Sequence, residues 1–117
     1  MKKLFLLFIS SVFILSACGN KYDKEIEKVT EMEKNFWNNE SDKTFNKFER
    51  NKANFKVYND GDVITVDYIA IKGDTTVDGD LFKKNQSTGK YEKQQNMNVS
   101  KYQKNNKPDY EENNLKK

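Results

Sequence analysis

The chain has 117 residues, 35% of them hydrophobic and 33% charged, with a formal net charge of +3, which is enough for one small domain and not for two. It contains no histidine and a single cysteine, so the commonest general base, the commonest zinc ligand and any Ser-His or Cys-His nucleophile pair are excluded. On this inventory neither catalysis nor a bound metal or cofactor is expected.

Lys2 and Lys3 precede an apolar run from Leu4 to Leu15, broken only by Ser10 and Ser11, and small residues follow at Ser16 and Ala17. This is the three-part layout of an export signal. The apolar run is 12 residues long, whereas a permanent membrane-spanning helix needs about 20. Residues 1–17 are therefore expected to be a signal peptide that is removed. Its ending, Leu15-Ser16-Ala17-Cys18, resembles the lipobox of bacterial lipoproteins. That resemblance implies that the Cys18 sulfur takes a diacylglyceryl group and becomes the first residue of the mature chain. Two acyl chains hold a protein firmly to a bilayer, each buried CH₂ contributing roughly 0.8 kcal/mol, where one chain gives only marginal binding.

Loss of residues 1–17 also removes Lys2 and Lys3, leaving 100 residues with 19 basic against 18 acidic side chains. A nearly neutral chain lacks the clustered basic excess of a nucleic-acid binder, and no nucleic-acid partner is expected. With Cys18 acylated no thiol is left for a disulfide, so packing alone must hold the domain outside the cell.

Residues 18–21 form a short lipid-anchored N-terminus, and the domain proper is expected over 22–102. Tyr22, Ile26, Val29, Met32, Phe36 and Trp37 fall on one side of a helix advanced at 100° per residue, with Asn20 or Asp23 as its cap. Phe36 and Trp37 are expected to pack on a sheet. Ser41 or Asp42 opens a second, short helix through Phe45 and Phe48 to about Asn51. From Phe55 the period becomes alternating. Asn59-Asp60-Gly61-Asp62 carries the Asp-Gly pair of a tight hairpin, and Val63 to Ile71 is the longest strand candidate. Its uncharged face, Ile64, Val66, Tyr68 and Ala70, is assigned to the helix side. After a polar connection from Lys72 to Asp80, Leu81-Phe82 opens a third strand. Lys90 to about Val99 alternates loosely as a fourth. Residues 103–117 are almost all Lys, Asn, Glu and Gln around Pro108 and are expected to be disordered. The fold class is α+β, an N-terminal helix packed on an antiparallel meander of about four strands.

The acidic turns invite a calcium reading, which fails on spacing. With Gly79 at position six of an EF-hand loop, Asp74 and Asp78 suit positions one and five, but Asn85 stands where the bidentate glutamate belongs. Asp78 and Asp80 are expected in a turn open to water, which does not suit a paired acid and base.

The lipobox, the helix and the order of helix then meander resemble a family of small staphylococcal lipoproteins with a cystatin-like fold, a domain of unknown function. The resemblance implies a helix wrapped by an antiparallel sheet and no activity. Cystatins enter protease clefts through a Gln-x-Val-x-Gly hairpin loop, and Thr75-Thr76-Val77-Asp78-Gly79 offers Val-x-Gly with Thr75 in place of Gln. A shared fold does not carry function with it. The expected function is a lipid-anchored module at the outer face of the cell membrane, binding a protein partner without catalysis, with Thr75 to Gly79 as candidate interaction loop. A cysteine-protease inhibitor and a small-ligand carrier are the alternatives.

Overall fold

The structure is a computed structural model that describes residues 21–39 and 42–115. The segment Leu15 to Cys18 lies outside the described residues. Among those described, no helix is long and apolar enough to cross a membrane.

Helix α1 (Asp23–Trp37) is followed by strands β1 (Asn54–Tyr58), β2 (Val63–Tyr68), β3 (Asp78–Lys84) and β4 (Tyr91–Lys93), a short helix α2 (Val99–Asn105) and a last strand β5 (Tyr110–Asn113). The five strands form one antiparallel sheet in the order β4-β3-β2-β1-β5. Asp23 and Glu25 sit in the first turn of α1 and Lys34 in its last, each charge complementing the helix dipole. Asp23 is the first helical residue and makes no cap, since Tyr22 occupies that position without a side-chain capping bond.

One face of the sheet packs on α1. Ile26 and Val29 meet Phe55, Val57, Ile64, Val66 and Phe82, all fully buried. The alternation of β2 assigned the right side to the helix, because Ile64, Val66, Tyr68 and Ala70 all belong to this core. On the other face, Tyr58, Val63, Leu81 and Val99 form a smaller core with Tyr102 against it. The Tyr58 and Tyr102 rings meet edge to face at 5.0 Å.

Five expectations about the elements need correction. Residues 103–117 were expected to be disordered, yet Gln103 to Asn105 complete α2 and Tyr110–Asn113 pair with β1 in the register Asn54↔Asn113 to Val57↔Tyr110. The first edge of β1 is otherwise open, and unpaired buried backbone is costly. β5 satisfies it with main-chain bonds, which leave no hydrophobic period in the sequence.

The short helix through Phe45 and Phe48 does not form. Residues 44–46 instead run against 69–72, with Asn46 N–H on the Ala70 carbonyl at 2.7 Å, Lys72 N–H on Thr44 at 2.9 Å and a Phe45↔Ile71 bridge. The reason is register: β1 begins at Asn54 opposite Asp67, so the chain beyond Tyr68 has no strand on that side, and 44–46 supplies one. Only the turn Arg50–Lys52 is helical there, as a single 3₁₀ turn.

The third strand starts at Asp78, earlier than Leu81. The fourth stops at Lys93, because Asn98 caps α2 by accepting the Lys101 N–H at 3.0 Å and takes Val99 into the helix. The Asn59–Gly61 segment is a wider turn than a two-residue hairpin, with Asn59, Asp60 and Gly61 all at positive φ (52°, 55° and 100°).

Candidate functional site

α1 starts beside the β1–β2 turn and ends beside the opening of β3, so the sheet has a hairpin end and an outer end. Tyr22 and Lys21 mark the first: the Tyr22 hydroxyl donates to Asp60 at 2.9 Å and Lys21 pairs with the same carboxylate at 3.0 Å. The Asp60 N–H donates to Asp109 at 2.8 Å, and the buried Tyr91 hydroxyl donates to the Gly61 carbonyl. At the outer end, α1 delivers Glu33, Phe36 and Trp37 to Tyr68 of β2, Asp80 of β3 and Lys93 of β4.

The centre of the outer end is an ion cluster. Lys93 Nζ lies 2.9 Å from Glu33 Oε1 and 3.4 Å from Asp80 Oδ2, and the Tyr68 hydroxyl donates to Asp80 Oδ2 at 2.6 Å. Glu33 is completely buried. Burial, reinforced by the Asp80 carboxylate, pushes its pKa up to about 8 against the opposing pull of Lys93. Burial and the nearby Glu33 and Asp80 charges likewise push the Tyr68 phenol upward. For Lys93, burial works against the charged form, but Glu33 and Asp80 outweigh it and the net shift is upward. The ammonium also sits 4.5 Å from the Phe36 ring centre and 5.6 Å from that of Phe82, within cation-π range.

Around this cluster the surface is apolar. Trp37 packs among Phe36 at 4.9 Å, Phe45 at 5.3 Å and Tyr68 at 5.8 Å. Among the described residues the exposed large hydrophobic side chains are Phe36, Ile71, Val77 and Met97, 40 to 52% accessible. All four lie at the outer end. Phe36 was expected in the core; it lies within the apolar arc but in the last turn of α1, over Lys93 of the edge strand β4, and is exposed, while Ile26 and Val29 are buried.

The candidate loop is split by the structure. Thr75, Thr76 and Val77 belong to the β2–β3 connection, where Asp74 accepts the backbone N–H of Thr75 at 2.7 Å and of Thr76 at 3.2 Å. Asp78 and Gly79 lie in β3, opposite Tyr68 and Asp67. Gly79 is reserved for packing: a Cβ there would stand 3.0 Å from Asp67 Oδ1 and 3.2 Å from Val99 Cγ1, so the missing side chain is what lets α2 close on the sheet. Val77 lines an open hollow of about 350 Å³ with Asp67, Met97 and Gln103.

Sequence reasoning passed over Glu33, Asp80 and Lys93 as a group. A signal for Glu33 was present, because at 100° per residue it falls between Tyr22 and Ile26, inside the apolar arc. Nothing in the sequence pairs it with Lys93, 60 positions away. Arg50 was also passed over, though it is the sole arginine beside 20 lysines. Its guanidinium grips Glu112 through Nε at 2.9 Å and Nη2 at 2.8 Å, and also reaches Asp23 and Glu27. That bidentate geometry is one a lysine cannot reproduce.

Residues 22–114 match the model of a domain of unknown function with cystatin-like fold. Among solved structures, the chain is similar to a protein of that family from Staphylococcus aureus subsp. aureus Mu50, at 26% identity and a TM-score of 0.72, over 81% of this chain and 99% of that one. No curated protein matches. With one N-terminal helix on a five-stranded antiparallel sheet and a family match running from Tyr22 to Asn114, the chain belongs to the DUF4467 family of cystatin-like domains.

Proposed function

We propose that the protein is a lipid-anchored module on the extracytoplasmic face of the cell membrane, acylated at Cys18, that binds a protein partner through the outer end of its sheet and performs no catalysis. The observation that carries this reading is the opposition between the two ends. The chain leaves the domain at Lys21, three residues after Cys18, and Lys21 is paired to the hairpin turn. The exposed Phe36, Ile71, Val77 and Met97 lie at the far end, about 22 Å away along the 15 residues of α1. A short tether therefore holds the hairpin end toward the bilayer and turns the apolar end outward. Large apolar side chains exposed at one end of a small domain suit an interaction site.

The anchor is tested by radiolabelled fatty acid. Label on the wild type and none on Cys18→Ser, with the variant leaving the membrane fraction, supports it; label retained on Cys18→Ser overturns it. The binding face is tested by placing a photocrosslinking side chain at Val77 or, as a control, at Asp60 in intact cells. One partner captured from Val77, lost on Ile71→Asp and not captured from Asp60, is the expected result. Equal capture from both positions would remove the outer end as the binding face.

A further inference from the structure

Glu33 Oε2 is buried and accepts no hydrogen bond from any donor among the described residues. Its other oxygen already takes the Lys93 ammonium. A carboxylate oxygen left in this state would bear the full cost of desolvation, and the charges facing it decide how the structure avoids that. β2 contributes Tyr68, whose hydroxyl proton is committed to Asp80. β3 contributes the Asp80 carboxylate, whose Oδ2 lies 3.4 Å from the same Lys93 ammonium that sits 2.9 Å from Glu33 Oε1. β4 contributes Lys93, among the described residues the one cation paired with these acids and divided between both. On α1 the neighbours one turn away, Val29, Thr30, Phe36 and Trp37, carry no charge. Two carboxylates facing one ammonium leave an uncompensated negative charge in a dry site.

We propose that Glu33 is carried as the neutral acid, its own proton bridging Oε2 to Asp80, and that losing this proton loosens the end of α1 bearing Phe36 and Trp37 from the sheet. Protonation answers both observations at once. It gives the orphan oxygen a hydrogen to share, and it leaves a balanced Lys93 and Asp80 pair. Burial and Asp80 place the titration at about 8, against 4.5 for a free glutamate. The folded state thus holds the proton more tightly than the unfolded chain does. Relative stability from this group rises as pH falls from 8 toward 4.5 and is lost as pH rises through the same window. Phe36 rests on the Lys93 ammonium and Trp37 on Tyr68, so both rings register the change. The proposal stands independently of the anchor and of any partner.

Trp37 is the only tryptophan in the chain, which makes its emission a clean reporter. In the full-length chain in dodecyl maltoside, the Trp37 emission maximum is expected to move reversibly to longer wavelength between pH 6 and 9. Glu33→Gln should abolish that shift, and Asp80→Asn should move its midpoint to lower pH. A flat wild-type profile, or a Glu33→Gln profile that matches the wild type, overturns the proposal. Where Glu33→Gln does not fold, the ¹³C shift of the wild-type Glu33 carboxyl decides: the neutral-acid position at pH 6 supports the proposal, and the carboxylate position overturns it.

Discussion

At the hairpin end, Asp60 holds Tyr22 and Lys21, Asp109 holds the Asp60 amide, and Tyr91 reaches the Gly61 carbonyl; at the outer end, rings of Phe36, Trp37 and Phe45 lie over a buried ion cluster and large apolar side chains stand in solvent. The first end is specified by directional polar contacts from four separate parts of the chain. The second combines ring packing with a partly buried charge cluster, and its two loops are joined to each other by main-chain bonds between 44–46 and 69–72. One end secures the fold, and the other leaves surface free to meet something else. Substitutions at the two should therefore differ in kind.

Arg50→Leu is the severest test of this contrast, because Arg50 ties β5 to α1 through Glu112, Asp23 and Glu27. Breaking this partly buried network should cost about 2 to 3 kcal/mol in urea unfolding, with Arg50→Lys recovering under half. Arg50 also holds the Glu112 carboxyl below its ordinary value of 4.5. That stabilisation is present above 4.5 and fades as pH falls through the lowered value, so the wild type should lose stability in acid more steeply than Arg50→Leu.

Gly61→Ala should cost about 1 to 2 kcal/mol. A Cβ there meets nothing closer than 3.7 Å, so the loss would come from the φ of 100° alone. Tyr91→Phe should cost about 1 kcal/mol by stranding the Gly61 carbonyl. Val77→Asp, by contrast, should stay within about 0.5 kcal/mol of wild type in the same assay. If Val77→Asp matched Gly61→Ala in cost, the outer end would be part of the fold's support and the contrast would fail.

What the sequence revealed, and what it hid, follows the same division. The α1 stripe and the β2 alternation were legible because burying apolar side chains imposes a period, and Ile26, Val29, Ile64 and Val66 obey it. β5 was invisible because Tyr-Glu-Glu-Asn brings only Tyr110 to the core and Glu112 to Arg50, and the backbone pairing that holds the rest leaves no trace in composition. Phe45 and Phe48 were misread because a spacing of three fits one helical turn equally well as an extended segment that buries only Phe48. Of the outer end, the loop containing Val77 was visible as a polar connection with glycines, but its Gly79 serves α2 and not the loop. The ion cluster escaped because each of its members is an ordinary surface residue until three strands and a helix bring them together.

The pairing of β1 with β5 joins the first strand of the chain to its last, Asn54 to Asn113. Contacts of such long sequence separation are made late in folding. During synthesis β1 must wait beside an empty edge until residues 110–113 have been made, since β2 covers only its other flank. The completed sheet is thus out of reach of a nascent polypeptide that has not yet delivered Tyr110–Asn113.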